Sequence, residues 1–194
     1  TCNDFIINHR LIGKNSDTAI KQVFNYLSAT EELGCKHAVI PLLEENNITN
    51  SNMMNFLDPL KAIAEVAKER NINILIESLL DAYHLREFIE KINEPNVACV
   101  YDTGNRALYK SDIAKEILHL DSLVKHVHIK DKNKHGINVL LGTGLVNFLD
   151  AFKALSQIDY AGPLVFETER GSNPILTAEF HMQFCNYYYD EAKR

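Results

Sequence analysis

No apolar run in this 194-residue chain approaches the roughly 18 to 20 residues that cross a bilayer, and its start is not signal-like, so no membrane partner is expected. Positive charge is in deficit: 20 Lys and Arg stand against 26 Asp and Glu, a net charge of −6 that argues against a nucleic-acid partner. Cysteine is sparse and unpatterned. Cys2, Cys35, Cys99 and Cys185 form no CxxC and no regular spacing, and Cys35 and Cys99 fall beside or within apolar runs. Free buried thiols in a reducing, cytoplasmic setting are the expectation. No glycine-rich phosphate turn follows an early strand, no linker or low-complexity stretch divides the chain, and its eight histidines make no tract. What remains is an ordinary globular balance, 46% hydrophobic and 24% charged, long enough for a sizeable core.

The pattern that fills this space is strand-then-helix alternation. The runs at His37 to Leu43, Ile72 to Glu77, Val97 to Asp102, Val124 to Lys130 and Leu164 to Glu167 are short, rich in β-branched residues and bounded by turn-formers, which predicts buried parallel strands. CNDFIIN at the start reads as the end of a sixth. Between them, Ile20, Val23, Phe24 and Leu27 form one helical stripe with Ser16 or Asp17 as N-cap, and Leu57, Leu60, Ile63, Ala64 and Ala67 form another, which Asp58-Pro59 either starts or kinks. Further helices are predicted from Ala82 to Ile92, Asp112 to Leu120, Val146 to Leu155, and Pro174 to the C-terminal end, where Phe180, Phe184 and Tyr187 to Tyr189 would pack. Strict alternation means a mainly parallel α/β sheet with right-handed crossovers. An open doubly wound sheet normally carries the phosphate turn that is missing, so a (β/α)8 TIM barrel is favoured. Residues 1–194 read as a single such domain, N-terminally incomplete, with the first one or two βα units absent.

Four polar residues stand at the C-terminal ends of these strands: Glu77, Asp102, His128 and Glu167. A carboxylate at the end of an apolar strand is costly unless paired or metal-bound. Two Glu, one Asp and one His brought together by parallel strands would form a divalent-metal site. Carboxylate with imidazole suits Mn, Co, Zn or Fe and fits a pure calcium site poorly. Three of them have a plainer alternative: a salt bridge for either glutamate, an Asx turn for Asp102. His126 lies two residues before His128 on the same side and reads as a hydrogen-bonded core histidine. Lys130, of the same parity, is placed to reach an anionic substrate oxygen. Gly142 and Gly144 permit tight backbone geometry or close approach to a ligand. Arg170, ahead of the last helix, is a phosphate candidate, with simple capping by Ser172 or Asn173 the competing reading.

The order Glu77, Asp102, His128, Glu167, with DTGN, HVHIKD and GTGLVNF, resembles the xylose isomerase-like barrels of the sugar-phosphate isomerase/epimerase superfamily, from about Lys36 to Glu179. The nearest branch is that of hexulose-6-phosphate isomerase and pentulose-5-phosphate 3-epimerase. The resemblance implies one divalent ion on those four residues, Mn²⁺ first, with Co²⁺, Mg²⁺ or Zn²⁺ as alternatives. It also implies that Glu77 and Glu167 exchange protons with a sugar or sugar phosphate during 3-epimerisation of a ketose through a cis-enediolate. Asn105 stands where ketohexose 3-epimerases have a substrate-binding His, and Lys134 where they have an Arg, which favours the phosphorylated branch. Asn105, Lys130, Lys134 and Arg170 are therefore the candidate substrate-binding residues. An inosose-type dehydratase on the same metal site, and a non-catalytic sugar-binding module on a decayed barrel, are the competing functions. A homo-oligomer is compatible with either.

Overall fold

The computed structural model describes residues 1–109 and 111–194, and the chain divides into two compact units, Thr1–Val100 and Tyr101–Arg194.

In the first unit, α1 (Ser16–Glu32) precedes β1 (His37–Leu42), α2 (Leu57–Glu69) precedes β2 (Asn73–Ser78), and α3 (Ala82–Ile92) precedes β3 (Val97–Asp102), whose last two residues belong to the second unit. The strands pair in parallel and in chain order, β1 with β2 from His37↔Asn73 to Leu42↔Ser78, and β2 with β3 from Ile74↔Val97 to Ile76↔Cys99. Every residue of β3 is buried, as expected of a strand covered on both faces. Val39, Leu75, Ala98 and Val100 form one apolar cluster on one side of these strands. The helices bury the other side with the stripes expected of them: Val23 and Leu27 from α1, and Leu60, Ile63, Ala64 and Ala67 from α2.

Two local expectations are corrected here. Residues 2–8 do not continue a strand: Asp4–Asn8 is a 3₁₀ turn, and Cys2 makes only an isolated parallel bridge to Val39. Side-chain hydrogen bonds replace the ladder. Asn3 accepts from the Phe5 N–H, and the fully buried Asn46 donates to the Ile6 and His9 carbonyls while accepting from the Leu11 N–H. The N-cap of α1 is Asn15, in the left-handed region at φ 71°, in place of Ser16 or Asp17. Asp58-Pro59 lies in the first turn of α2, which a 3₁₀ turn at Met53–Phe56 leads into.

The second unit holds α4 (Thr103–Ala107), α5 (Ile113–Leu120), β4 (Val124–Ile129), α6 (Phe148–Gln157), β5 (Leu164–Phe166) and α7 (Pro174–Glu191). Four N-caps of one kind start its helices: Asp102, Asp112, Asn147 and Asn173 each accept a backbone N–H three residues on. Strands β4 and β5 pair in parallel from Val127↔Leu164 to Ile129↔Phe166. Helix α7 packs less of itself than its aromatic content suggests. Phe184 and Tyr188 meet Phe148 of α6, but Phe180, Tyr187 and Tyr189 are exposed, because the apolar residues of α7 are spread around the helix and not gathered on one face.

Candidate metal centre

Three of the four expected ligands converge in the second unit. Asp102 is the last residue of β3, His128 the fifth of β4, and Glu167 follows β5 directly. Their ligand atoms lie within 4.8 Å of one another. His128 Nδ1 is 3.8 Å from Asp102 Oδ2 and 3.3 Å from Glu167 Oε1. Asp102 and His128 are buried, whereas the Glu167 side chain is 40% exposed, which leaves the cluster open on one side.

The backbone explains why these groups meet. The Glu167 N–H donates to the Ile129 carbonyl (3.1 Å), so the glutamate is pinned one step beyond the β4–β5 ladder. The Thr103 hydroxyl accepts from the Lys130 N–H (3.0 Å) and faces the carbonyls of Lys130 (2.7 Å) and His128 (3.2 Å), tying the start of α4 to the end of β4. Asp102 is both things the sequence suggests. Its Oδ1 accepts from the Asn105 N–H at 2.8 Å as a helix cap, while Oδ2 turns into the cluster. One carboxylate thus starts a helix and presents a ligand atom.

A cationic side chain completes the cluster. Lys130 Nζ lies 2.7 Å from Asp102 Oδ2 and 2.6 Å from Glu167 Oε2, and the residue is only 8% exposed. Burial alone would raise the Asp102 carboxyl, but the His128 side chain, the Lys130 charge and the Asn105 N–H outweigh it and hold the group below its ordinary value. Lys130 shows the mirror case. Burial disfavours its ammonium, yet Asp102 and Glu167 together push its pKa up.

The other sequence candidates fall in distinct places. Asn105 Nδ2 donates to Asp102 Oδ2 at 3.0 Å and so belongs to the cluster's edge. His126 is half-buried, with its ring 5.1 Å from that of His128 and edge-on to it. Lys134 is exposed and lines a surface cavity with Ser111, Asp112, Asn147 and Asp150. Arg170 is exposed on the segment between β5 and α7. No ion pair joins Lys134 or Arg170 to the cluster among the described residues. Glu77 is in the first unit, 7% exposed, one residue before the end of β2.

The sequence reading passed over Asp131, the residue that shapes the loop after β4. It is fully buried, and its carboxylate accepts three backbone N–H groups: Gly142 (3.0 Å), Gly144 (2.8 Å) and Val146 (3.1 Å). The close approach that Gly144 suggested is to this internal carboxylate, whereas Gly142 takes a positive φ of 84° beside the Phe184 ring. A Cβ on Gly144 would collide with the Asp131 side chain. The readable signal was an Asp directly after the strand, with glycines 11 and 13 residues on. Hydrogen bonds to a charged group contribute about 1.5–3 kcal/mol each, so Asp131→Ala is expected to lose at least about 3 kcal/mol in urea unfolding. Asp131→Asn, keeping one acceptor oxygen, should fall between the two.

Comparison with known proteins agrees with this architecture. The xylose isomerase-like TIM barrel family matches residues 10–187. An L-ribulose 3-epimerase of Methylomonas sp. (strain DH-1) is 30% identical over 129 residues, covering 62% of this chain and 43% of that protein. A ketose 3-epimerase of Arthrobacter globiformis is 28% identical over 151 residues, covering 73% and 50%. The L-ribulose-5-phosphate 3-epimerase UlaE of Escherichia coli O157:H7 is 31% identical over 127 residues, covering 61% and 44%. The chain therefore spans about half the length of the curated relatives it matches. Among solved structures, an L-ribulose 3-epimerase superposes with a TM-score of 0.81 at 21% identity, over 94% of this chain and 71% of that one, which speaks to the fold.

Proposed function

Because the chain belongs to the xylose isomerase-like TIM barrel family, we propose that it serves a divalent-metal-dependent 3-epimerisation of a ketose or ketose phosphate. The observation that carries this reading is the convergence of Asp102, His128 and Glu167 within 4.8 Å at the ends of separate strands. Two carboxylates and an imidazole, with Asp102 and His128 buried and Glu167 open to solvent, make a donor set suited to Mn²⁺, Co²⁺ or Zn²⁺. The names of the relatives, each a 3-epimerase of a ketose or ketose phosphate, point to the same chemistry.

Glu77 is assigned as the fourth ligand on strand parity. It shares the side of Leu75, as Asp102 shares the side of Ala98 and Val100, and those apolar residues form one cluster. A bound ion supplies Lewis-acid stabilisation of the negative charge that develops on the ketose oxygens, worth several kcal/mol. The proton transfers fall to the chain's own carboxylates. One glutamate takes the C3 proton from one face of the sugar, and the other returns a proton to the opposite face. Inversion at C3 requires this two-sided placement, and the roles of Glu77 and Glu167 interchange with reaction direction. Asn105 fixes the rotation of the Asp102 carboxylate through its 3.0 Å hydrogen bond. Lys134 and Arg170, exposed and outside the cluster, are the candidates for a substrate phosphate.

The test is proton exchange in D2O, followed by NMR after a chelator quench, on pentulose phosphates and free ketoses. Deuterium is expected at C3 with Mn²⁺ present from the start and not in samples chelated beforehand. One equivalent of bound Mn²⁺ without exchange on any ketose would overturn the epimerase reading, and no Mn²⁺ binding would overturn the metal site as well.

A further inference from the structure

We propose that Lys130 is an internal stand-in for the metal ion: its ammonium holds Asp102 and Glu167 together in the ion-free protein and is displaced when a divalent cation enters. The inference rests on the metal-site reading above and concerns how that site is filled.

The Lys130 ammonium bridges carboxylates from two different strand ends, at 2.7 Å and 2.6 Å, which is the arrangement expected of a cation seated between them. Two carboxylates this close repel one another unless a positive charge intervenes. A lysine is suited to the task because its charge is compact and its four-carbon stem is flexible, so the head can leave while the stem stays.

A second, independent feature lies in the path of the stem. Gly104, in the first turn of α4, has no side chain where one would meet Lys130: an added Cβ would come 2.8 Å from Lys130 Cγ and 3.0 Å from its Cβ. The glycine of the DTGN motif is thus explained by close approach, for it is not among the residues of positive φ. Thr103 holds the Lys130 backbone at both its N–H and its carbonyl, so the point from which the stem springs is fixed. A fixed root, a cleared channel and a head on two ligands together describe a built position, not a surface lysine that happened to fold inward.

The consequence is competition. An entering cation would compete with the ammonium for the Asp102 and Glu167 carboxylates, so the measured affinity for metal would be lower than that of the bare ligand set. The carboxylates stay organised meanwhile, and the site does not spring apart when the ion leaves.

Two measurements test this on the chain as it stands. The first is amine labelling of the wild-type chain by reductive methylation, read residue by residue by mass spectrometry, with and without Mn²⁺. Lys125, exposed on β4, serves as the internal reference. Labelling at Lys130 is expected to rise at least several-fold when Mn²⁺ binds, while Lys125 does not change. The second is calorimetric Mn²⁺ titration of Lys130→Met, for which removal of two charge-assisted contacts predicts binding about tenfold tighter or more. Should Lys130→Met fail to fold without metal, the wild-type labelling decides alone. Mn²⁺ binding at one equivalent, with Lys130 labelling unchanged and affinity unchanged or weaker in the variant, overturns the stand-in role and leaves the metal site intact. No Mn²⁺ binding by the wild type overturns both.

Discussion

Glu167→Gln is expected to lower C3 proton exchange by about 10²- to 10⁴-fold, the range that a positioned general acid or base contributes. The substitution keeps the size and the amide-like plane of the side chain and removes only its charge and basicity. Backbone position does not depend on the carboxylate, since the residue 167 N–H stays bonded to the Ile129 carbonyl. The side chain is 40% exposed, so the folded state loses little. On the proposed reading the substitution removes a proton acceptor and an anionic metal ligand together, and it weakens one of the two anchors of Lys130. Mn²⁺ affinity is therefore expected to fall in the same variant, and a calorimetric titration beside the exchange assay separates the effects. If excess Mn²⁺ restores occupancy but not exchange, the glutamate moves the proton. If it restores both, Glu167 acts only as a ligand. A chain that binds its sugar equally well with Glu or Gln, and exchanges with neither, is a binding module.

How far the sequence reached depends on the range of the interaction being read. Strand β3 and helix α3 have the bounds their hydrophobic patterns predict, because burial on a fixed period is written along the chain itself. Asp102, His128 and Glu167 were legible for a related reason: a polar residue that closes an apolar strand has little else to do. Long-range polar contacts were not legible. Nothing in CNDFIIN announces that Asn46, about 40 residues away, will bond the Ile6 carbonyl and turn a strand into a 3₁₀ segment. Asp131 sits in plain view inside HVHIKD, but its partners are backbone N–H groups, which every residue but proline owns, and only the two glycines of GTG hint at them. Lys130 was read as a substrate contact because its parity gave its direction. What it touches depends on a glycine 26 residues earlier, which gives its stem room.

The largest effect on stability is expected at Arg106→Met, in a buried network next to the candidate metal centre. The Arg106 guanidinium grips Glu116 through two bonds, Nη2 to Oε1 at 2.6 Å and Nε to Oε2 at 2.9 Å, and Tyr101 donates its hydroxyl to Oε2 at 3.0 Å. Arg106 also donates to the Ser111 hydroxyl at 2.8 Å. Arg106 and Glu116 are 6% and 8% exposed. Removing one partner leaves the other's charge buried, which costs about 3–5 kcal/mol. For a chain of this size that lowers the melting temperature by on the order of 10 °C. The double variant Arg106→Met/Glu116→Gln removes both charges and keeps an acceptor for Tyr101, so most of the loss should be recovered. The pair then separates stability from function. Tyr101 is the neighbour of Asp102 on β3, Arg106 lies on the short helix that Asp102 caps, and Glu116 ties both to α5. A double variant that melts near the wild-type temperature but binds Mn²⁺ more weakly assigns the network to aiming the Asp102 carboxylate. One that recovers both assigns it to packing alone.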